Sequence, residues 1–243
     1  MTAQSQLISV KMIRGAIKRS VTPIVRKKKP KTLALANKNG DKCKRLFDII
    51  FSLVVLIIGS PLYLLLAILI KFSSPGPVFY IQERIGKNYR PFRCIKFRTM
   101  VKNADNLIAP LLQNSPELRQ EYEENFKLKE DPRVTRIGKF LRYTSLDELP
   151  QFWNVLKGDM SVVGPRPLVP EELHMYGRHM DTILTIRPGI TGLWQVSGRN
   201  DIPYEKRIKM DVYYVNFRNS LLDSWVIVKT IGVMLFPKDN GSY

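Results

Sequence analysis

Asp147 and Glu148 stand side by side in the stretch SLDELPQFWNVL, in a chain of 243 residues with a formal net charge of +18. Adjacent carboxylates in basic surroundings can attack as a nucleophile, ligate a hard cation, or complement a helix N-terminus. Leu149, Phe152, Trp153 and Leu156 recur at i, i+3, i+4 and i+7, which predicts one apolar helix face stopped by Gly158. Pro150 fits only a first turn, so the helix is predicted to start near Asp147, with both acids at its N-terminus. Taken locally, Ser145 and Glu148 also form a Ser-x-x-Glu capping box, in which Asp147 merely complements the dipole.

The surroundings tilt this toward chemistry. Arg142 lies just upstream, and Arg166 is held between Pro165 and Pro167, a stiff backbone that presents its guanidinium at reduced ordering cost. In YRPFRCIKFRTM, strand alternation puts Cys94, Lys96 and Arg98 on one face. Singly, each cation reads as a solvated surface charge. Together, Lys96, Arg98, Arg142 and Arg166 make a candidate set for phosphate oxygens. A carboxylate beside them is expected to stay ionised, as a nucleophile or a Mg²⁺ ligand must.

The elements that would position these groups begin with a long apolar run. Leu46–Ile70 has 20 apolar residues out of 25, with Asp48 its one charge. As a helix it would extend about 37 Å, enough to cross a bilayer. Gly59-Ser60-Pro61 interrupts it, leaving halves of about 20 Å and about 14 Å, each too short to cross alone. Lys42, Lys44 and Arg45 precede the run and Lys71 follows it, so both flanks favour the same side of a membrane. A re-entrant hairpin broken at Ser60 and Pro61 satisfies these features; a Pro-kinked span is the competing form. The run is too long, and too far from the start, for a signal peptide.

Residues 1–45 carry 13 basic side chains against Asp41, a charge of +12, which leaves +6 for the remainder. Residues 1–41 therefore read as a basic, disordered leader suited to anionic membrane lipids. Residues 42–72 read as the membrane hairpin and 73–243 as a cytoplasmic catalytic domain. Cys43 and Cys94 form no metal or redox motif, which fits a reducing compartment. His174 and His179 read as ordinary helix-surface residues. Segments 104–129 (interrupted by Pro110 and Pro116), 170–186 and 201–217 are predicted helical, the last two joined by the Gly-rich turn RPGITGLWQVSGRN. SLLDSWVIVKTIGVMLF (220–236) opens with a Ser-x-x-Asp cap and suits a membrane surface or a packed core helix. The fold class expected is α+β, mainly helical, with a small sheet and interfacial helices.

The motifs KFRTM, LRYTSLDELPQFWNVLKGDMSVVGPRP, RPGITGLWQVSGRN and DVYYV, behind a basic-flanked apolar segment broken at Ser-Pro, closely resemble the bacterial sugar transferases. These are the monotopic phosphoglycosyl transferases acting on polyprenyl phosphate. The resemblance covers about residues 42–240 in the family's order, and is nearest to exopolysaccharide galactosyl-1-phosphate transferases. It implies transfer of sugar-1-phosphate from a UDP-sugar to undecaprenyl phosphate, with release of UMP. It implies that Asp147 is the nucleophile and that Glu148, with Asp147, serves Mg²⁺. Lys96, Arg98, Arg142 and Arg166 match phosphate-side positions; Arg199 in SGRN and Asp211 in DVYYV match further motif positions. It also implies the inner face of the bacterial cytoplasmic membrane, alongside other exopolysaccharide assembly enzymes.

Two other classes compete. A membrane-tethered nucleic-acid-binding or scaffolding protein would rest on the leader, but the charge excess falls to +6 beyond it and no aromatic residues interleave the basic run. No nucleic-acid partner is therefore expected. An ordinary nucleotide-sugar glycosyltransferase is disfavoured because the sequence contains no Asp-x-Asp.

Overall fold

The computed structural model describes residues 38–125, 128 and 130–236, so nearly all of the basic leader lies outside the described residues. The chain is mainly helical with two small sheets. It opens with helix α1 (Lys38–Ile58) and helix α2 (Ser60–Ser73), bent by 61° at Gly59. Pro61 has no amide to donate, and a Cβ on Gly59 would sit 2.5 Å from the Val55 carbonyl oxygen, so the bend falls where the backbone tolerates close approach. Among the described residues no single helix is long and apolar enough to cross a membrane, whereas this bent pair has the length and composition together. Ile50, Ile57, Ile58, Leu64 and Phe72 are exposed, an apolar surface at odds with water.

The inner face of the pair is fastened to the rest of the chain. Asp48, the lone acid of the apolar run, is buried and accepts from the Val162 amide at 3.0 Å. Lys44 pairs with Asp223 at 2.7 Å. Arg45 donates to the carbonyls of Val155 (2.6 Å) and Leu156 (2.9 Å), capping the helix that follows the central motif. At the other end of the pair, Arg98 donates to the Ser74 carbonyl at 2.6 Å and Lys71 to that of Gly76 at 3.2 Å.

Strands β1 (Phe79–Ile85) and β2 (Pro91–Phe97) form an antiparallel pair within the small sheet expected, with Lys96 opposite Tyr80 and Cys94 opposite Gln82. Helices α3 (Ala104–Asn114) and α4 (Pro116–Asn125) follow, then α5 (Arg136–Thr144) and α6 (Gln151–Lys157). A second sheet joins β3 (Ser161–Val163) in parallel to β4 (Gly189–Thr191), a pairing invisible in sequence because its strands are three residues each and far apart.

Segment 170–186 is not the continuous helix predicted. It is broken into one-turn helices, α7 (Leu173–Tyr176) and α8 (Met180–Ile183), separated by Gly177 at φ +47°. Helices α9 (Tyr204–Phe217) and α10 (Ser220–Leu235) close the chain. Asn219, rather than Ser220, caps α10 by accepting from the Leu222 amide at 2.9 Å. Asp223 is thereby free to be buried, accepting from the Tyr214 hydroxyl at 2.6 Å as well as from Lys44. Phe51 and Val55 of α1, Phe152 of α6, Val162 of β3 and Ile227 of α10 share one core cluster, so α1 of the bent pair is packed into the fold.

Candidate active site

Asp147 and Glu148 lie on a 3₁₀ turn (Leu146–Glu148) between α5 and α6, not in the first turn of an α-helix. The predicted capping box does not form: Ser145 takes φ +59° and makes no side-chain cap, because it ends α5 in the left-handed region. Its hydroxyl instead accepts from Arg199 at 2.9 Å. Arg199 also has positive φ, at 52°, so two non-glycine residues in an uncommon conformation meet beside the acids.

Lys96 reaches both carboxylates from β2, 2.5 Å from Glu148 Oε1 and 3.8 Å from Asp147 Oδ2. Arg142, on the last turn of α5, donates from Nε to Thr99 Oγ1 at 3.1 Å. That contact depends on α5 lying against the Thr99 backbone. A Cβ on Gly138 would stand 1.9 Å from the Thr99 carbonyl oxygen, so glycine is required there. Arg166 is pinned through its neighbours: Gly189 N–H donates to the Pro165 carbonyl (2.8 Å), Arg84 to that of Pro167 (2.9 Å), and the Ile85 amide to that of Leu168 (2.9 Å). Its guanidinium lies 5.8 Å from the Trp194 ring centroid.

These groups line one cavity of about 1130 Å³. Lys96, Arg98, Arg142, Asp147, Glu148, Arg166 and Arg199 all reach its wall. Arg98 is turned toward the chain leaving α2, with its NH groups on the carbonyls of Ser74 and Pro75. Asp211 does not line the cavity. It is buried behind Arg166, where its carboxyl accepts from the Tyr176 hydroxyl at 3.1 Å. Burial pushes its pKa up to about 7, against the pull of Tyr176 and Arg166. His174 is exposed and rests on the Glu171 carbonyl, away from the acids.

Burial also raises the Asp147 pKa above the usual carboxylate range, although Lys96 pulls it down; Glu148 adds to the rise and Arg142 opposes it. Neighbouring cations therefore do not by themselves decide the charge of this acid, as the sequence pattern suggests, because desolvation in a recessed site competes with them. For Arg142 too, burial outweighs the nearby Asp147 and lowers the pKa.

Sequence reasoning missed Arg84, Thr99, Ser145 and Gln195, all on the cavity wall. Arg84 carried a signal, since strand alternation in YIQERI sets Gln82 and Arg84 on one face with Tyr80. Gln195 carried none: its side chain is fixed by a bond to the Ile190 carbonyl at 2.9 Å, a tertiary contact.

Two adjacent carboxylates on a wall rich in guanidinium and ammonium groups suit chemistry on a substrate carrying phosphates. No cluster of three or more metal-capable His, Cys, Asp or Glu side chains occurs among the described residues. Two hard carboxylate oxygens suffice for Mg²⁺, which commonly takes one or two carboxylates and completes its shell with substrate phosphate and water. Asp147 and Glu148 therefore fit that ion by donor type.

This pairing of a broken apolar helix with a phosphate-type site defines a class, and the chain belongs to it: residues 40–237 match the model of the bacterial sugar transferases. The chain is 47% identical over 209 residues to the undecaprenyl-phosphate galactose phosphotransferase of Salmonella typhimurium, covering 86% of this chain and 43% of that protein. It is 44% identical to the UDP-galactose-lipid carrier transferase of Erwinia amylovora, over 86% of this chain and 43% of that protein. The exopolysaccharide production protein ExoY of Sinorhizobium fredii is 45% identical, with 84% of this chain and 89% of that protein covered. The chain thus spans less than half the length of the first two relatives and most of the third.

Proposed function

We propose that this protein transfers sugar-1-phosphate from a UDP-sugar to undecaprenyl phosphate and releases UMP, as an early membrane step of exopolysaccharide synthesis. The observation that carries the reading is Asp147 and Glu148 set side by side against Lys96, Arg142, Arg166 and Arg199, on a cavity whose wall also includes Phe51 and Val55 of α1. The Asp147 carboxylate oxygen attacks the phosphorus that bears the sugar, and the bond to the UMP oxygen breaks with its electron pair leaving on UMP. The phospho-sugar is then held on Asp147 as an acyl phosphate. An oxygen of the lipid phosphate attacks the same phosphorus, which forms the lipid diphosphate-sugar and returns the carboxylate. Arg142, Arg166 and Arg199 hold the phosphate oxygens, and Lys96 orients both acids. Mg²⁺, held by Glu148 with Asp147, would supply charge neutralisation for the diphosphate when bound.

The hairpin reading is supported by its fastenings. Lys44, Arg45 and Asp48 at one end contact the folded domain, and at the other end the domain's Arg98 holds the Ser74 carbonyl just after α2. A segment with both ends tied to one domain enters and leaves a bilayer by the same face. That face is the cytoplasmic side of the inner membrane, where nucleotide sugars are available. Galactose is the first sugar to try, because the Salmonella and Erwinia relatives are named for it. The test is purified protein with Mg²⁺, undecaprenyl phosphate and a panel of UDP-sugars. UMP rather than UDP should appear, with a phospho-sugar adduct on Asp147 in protein trapped without lipid. Product formation with no adduct at that residue would refute the covalent route.

A further inference from the structure

The cavity changes character along its length. Its cationic end surrounds Asp147 and Glu148. Phe51 and Val55 of α1, Ile190 of β4, and Ile227, Ile231 and Met234 of α10 give the same wall an apolar part, in which Phe51, Val55, Ile190 and Ile227 pack on one core cluster. Nothing that α1 and α10 contribute is charged. Thr230, the one hydroxyl among these residues, already donates to the Val226 carbonyl at 2.7 Å. An apolar recess joined to a phosphate-type site suits the apolar part of a ligand whose anionic part lies among the cations.

We infer that this recess seats the first isoprene units of the acceptor lipid, with its phosphate toward Arg166 and Arg199 and its chain passing between α1 and α10. The inference rests on the lipid-phosphate reading above and adds a site to it. Charge complementarity sets the polarity of the occupant: the anionic head can lie only at the cationic end, so the tail must take the apolar one. Apolar surface continues outward from both walls, through Ile50 and Val54 on α1 and Val228 and Leu235 on α10, all exposed. The rival course runs over the outer face of the hairpin, past Ile57 and Ile58.

Photolabelling of the full chain in phosphatidylglycerol nanodiscs with a diazirine-bearing isoprenyl phosphate separates the two courses. Label is expected on peptides holding Phe51–Val55 and Ile227–Met234. Label confined to Ile57–Leu64 would overturn the inference. Ile231→Trp and Met234→Trp fill the recess without adding charge. Each should raise KM for undecaprenyl phosphate by roughly tenfold or more, while donor-dependent UMP release in the absence of lipid stays within about twofold of wild type. An unchanged lipid KM in both variants would also sink it. Loss of UMP release from the wild type with labelling of the recess intact would instead count against the reaction and leave the lipid site standing.

Discussion

At the scale of single residues, Asp147 combines two properties that rarely coexist: it is recessed enough for its pKa to rise, and it faces Lys96 and Arg142. Asp147→Asn should therefore abolish turnover, by a factor on the order of 10⁴ or more, as expected when an attacking group is removed. Its fold should survive. An acid whose folded pKa is raised weakens the folded state wherever it is ionised, so the amide should unfold at pH 8 no lower than wild type. Turnover near wild type in Asp147→Asn would end the nucleophile assignment. Asp211 offers a cleaner titration, because it lies off the cavity. With a pKa pushed up to about 7, it keeps its proton in the folded state where the unfolded chain has lost it. Stability should then fall as pH rises from about 4 to about 7 and level off above. Asp211→Asn should remove that slope, so that its advantage over wild type grows from pH 5 to pH 8 by a few kcal/mol, because a tenfold difference in proton affinity between folded and unfolded chains is worth roughly 1.4 kcal/mol. Melting curves at the two pH values measure it, and an unchanged difference would show that Asp211 is ionised throughout.

Elements set these residues in place through contacts that cross long stretches of sequence. The Tyr63 hydroxyl of α2 donates to the Leu149 carbonyl at 2.6 Å, two residues from Asp147. Tyr63→Phe should lower kcat by roughly 5- to 30-fold, the equivalent of 1–2 kcal/mol, with the donor KM little changed. A kcat equal to wild type would show that the hairpin does not steer the acids. Gly138→Ala should be more damaging, since its methyl would displace the Thr99 backbone that Arg142 leans on. A loss of about 3 kcal/mol or more in denaturant unfolding is expected, as for other overpacked interior sites. At this scale the sequence was partly legible. The β1–β2 hairpin, α9 and the break at Gly59-Ser60-Pro61 carry strong local signals in alternation, periodicity and proline. The parallel β3–β4 pair and the broken 170–186 segment carry weak ones, because three-residue strands and one-turn helices are stabilised by what packs on them rather than by propensity.

For the molecule as a whole, the apolar surface of α1 and α2, both ends of which are tied to one domain, sets the expected topology. Cysteine reporters placed just before Cys43 and just after Lys71, in a chain otherwise cleared of cysteine, should both react with a membrane-impermeant reagent only from the cytoplasmic side. Reaction from opposite sides would replace the hairpin by a kinked span. The sequence by itself determined the chemistry on offer: two adjacent acids, a set of cations, and an apolar run that proline and glycine break in the middle. These follow from residue type and short-range spacing, which no later contact can alter. Only the tertiary structure decided which of those groups meet. It turned Ser145 from a helix cap into a partner for Arg199, set Asp211 behind the site, and made Asp48 the clasp between hairpin and β3. A left-handed residue, a buried charge and a parallel strand pair are each stabilised by atoms tens of residues distant, so one-dimensional patterns hold no record of them.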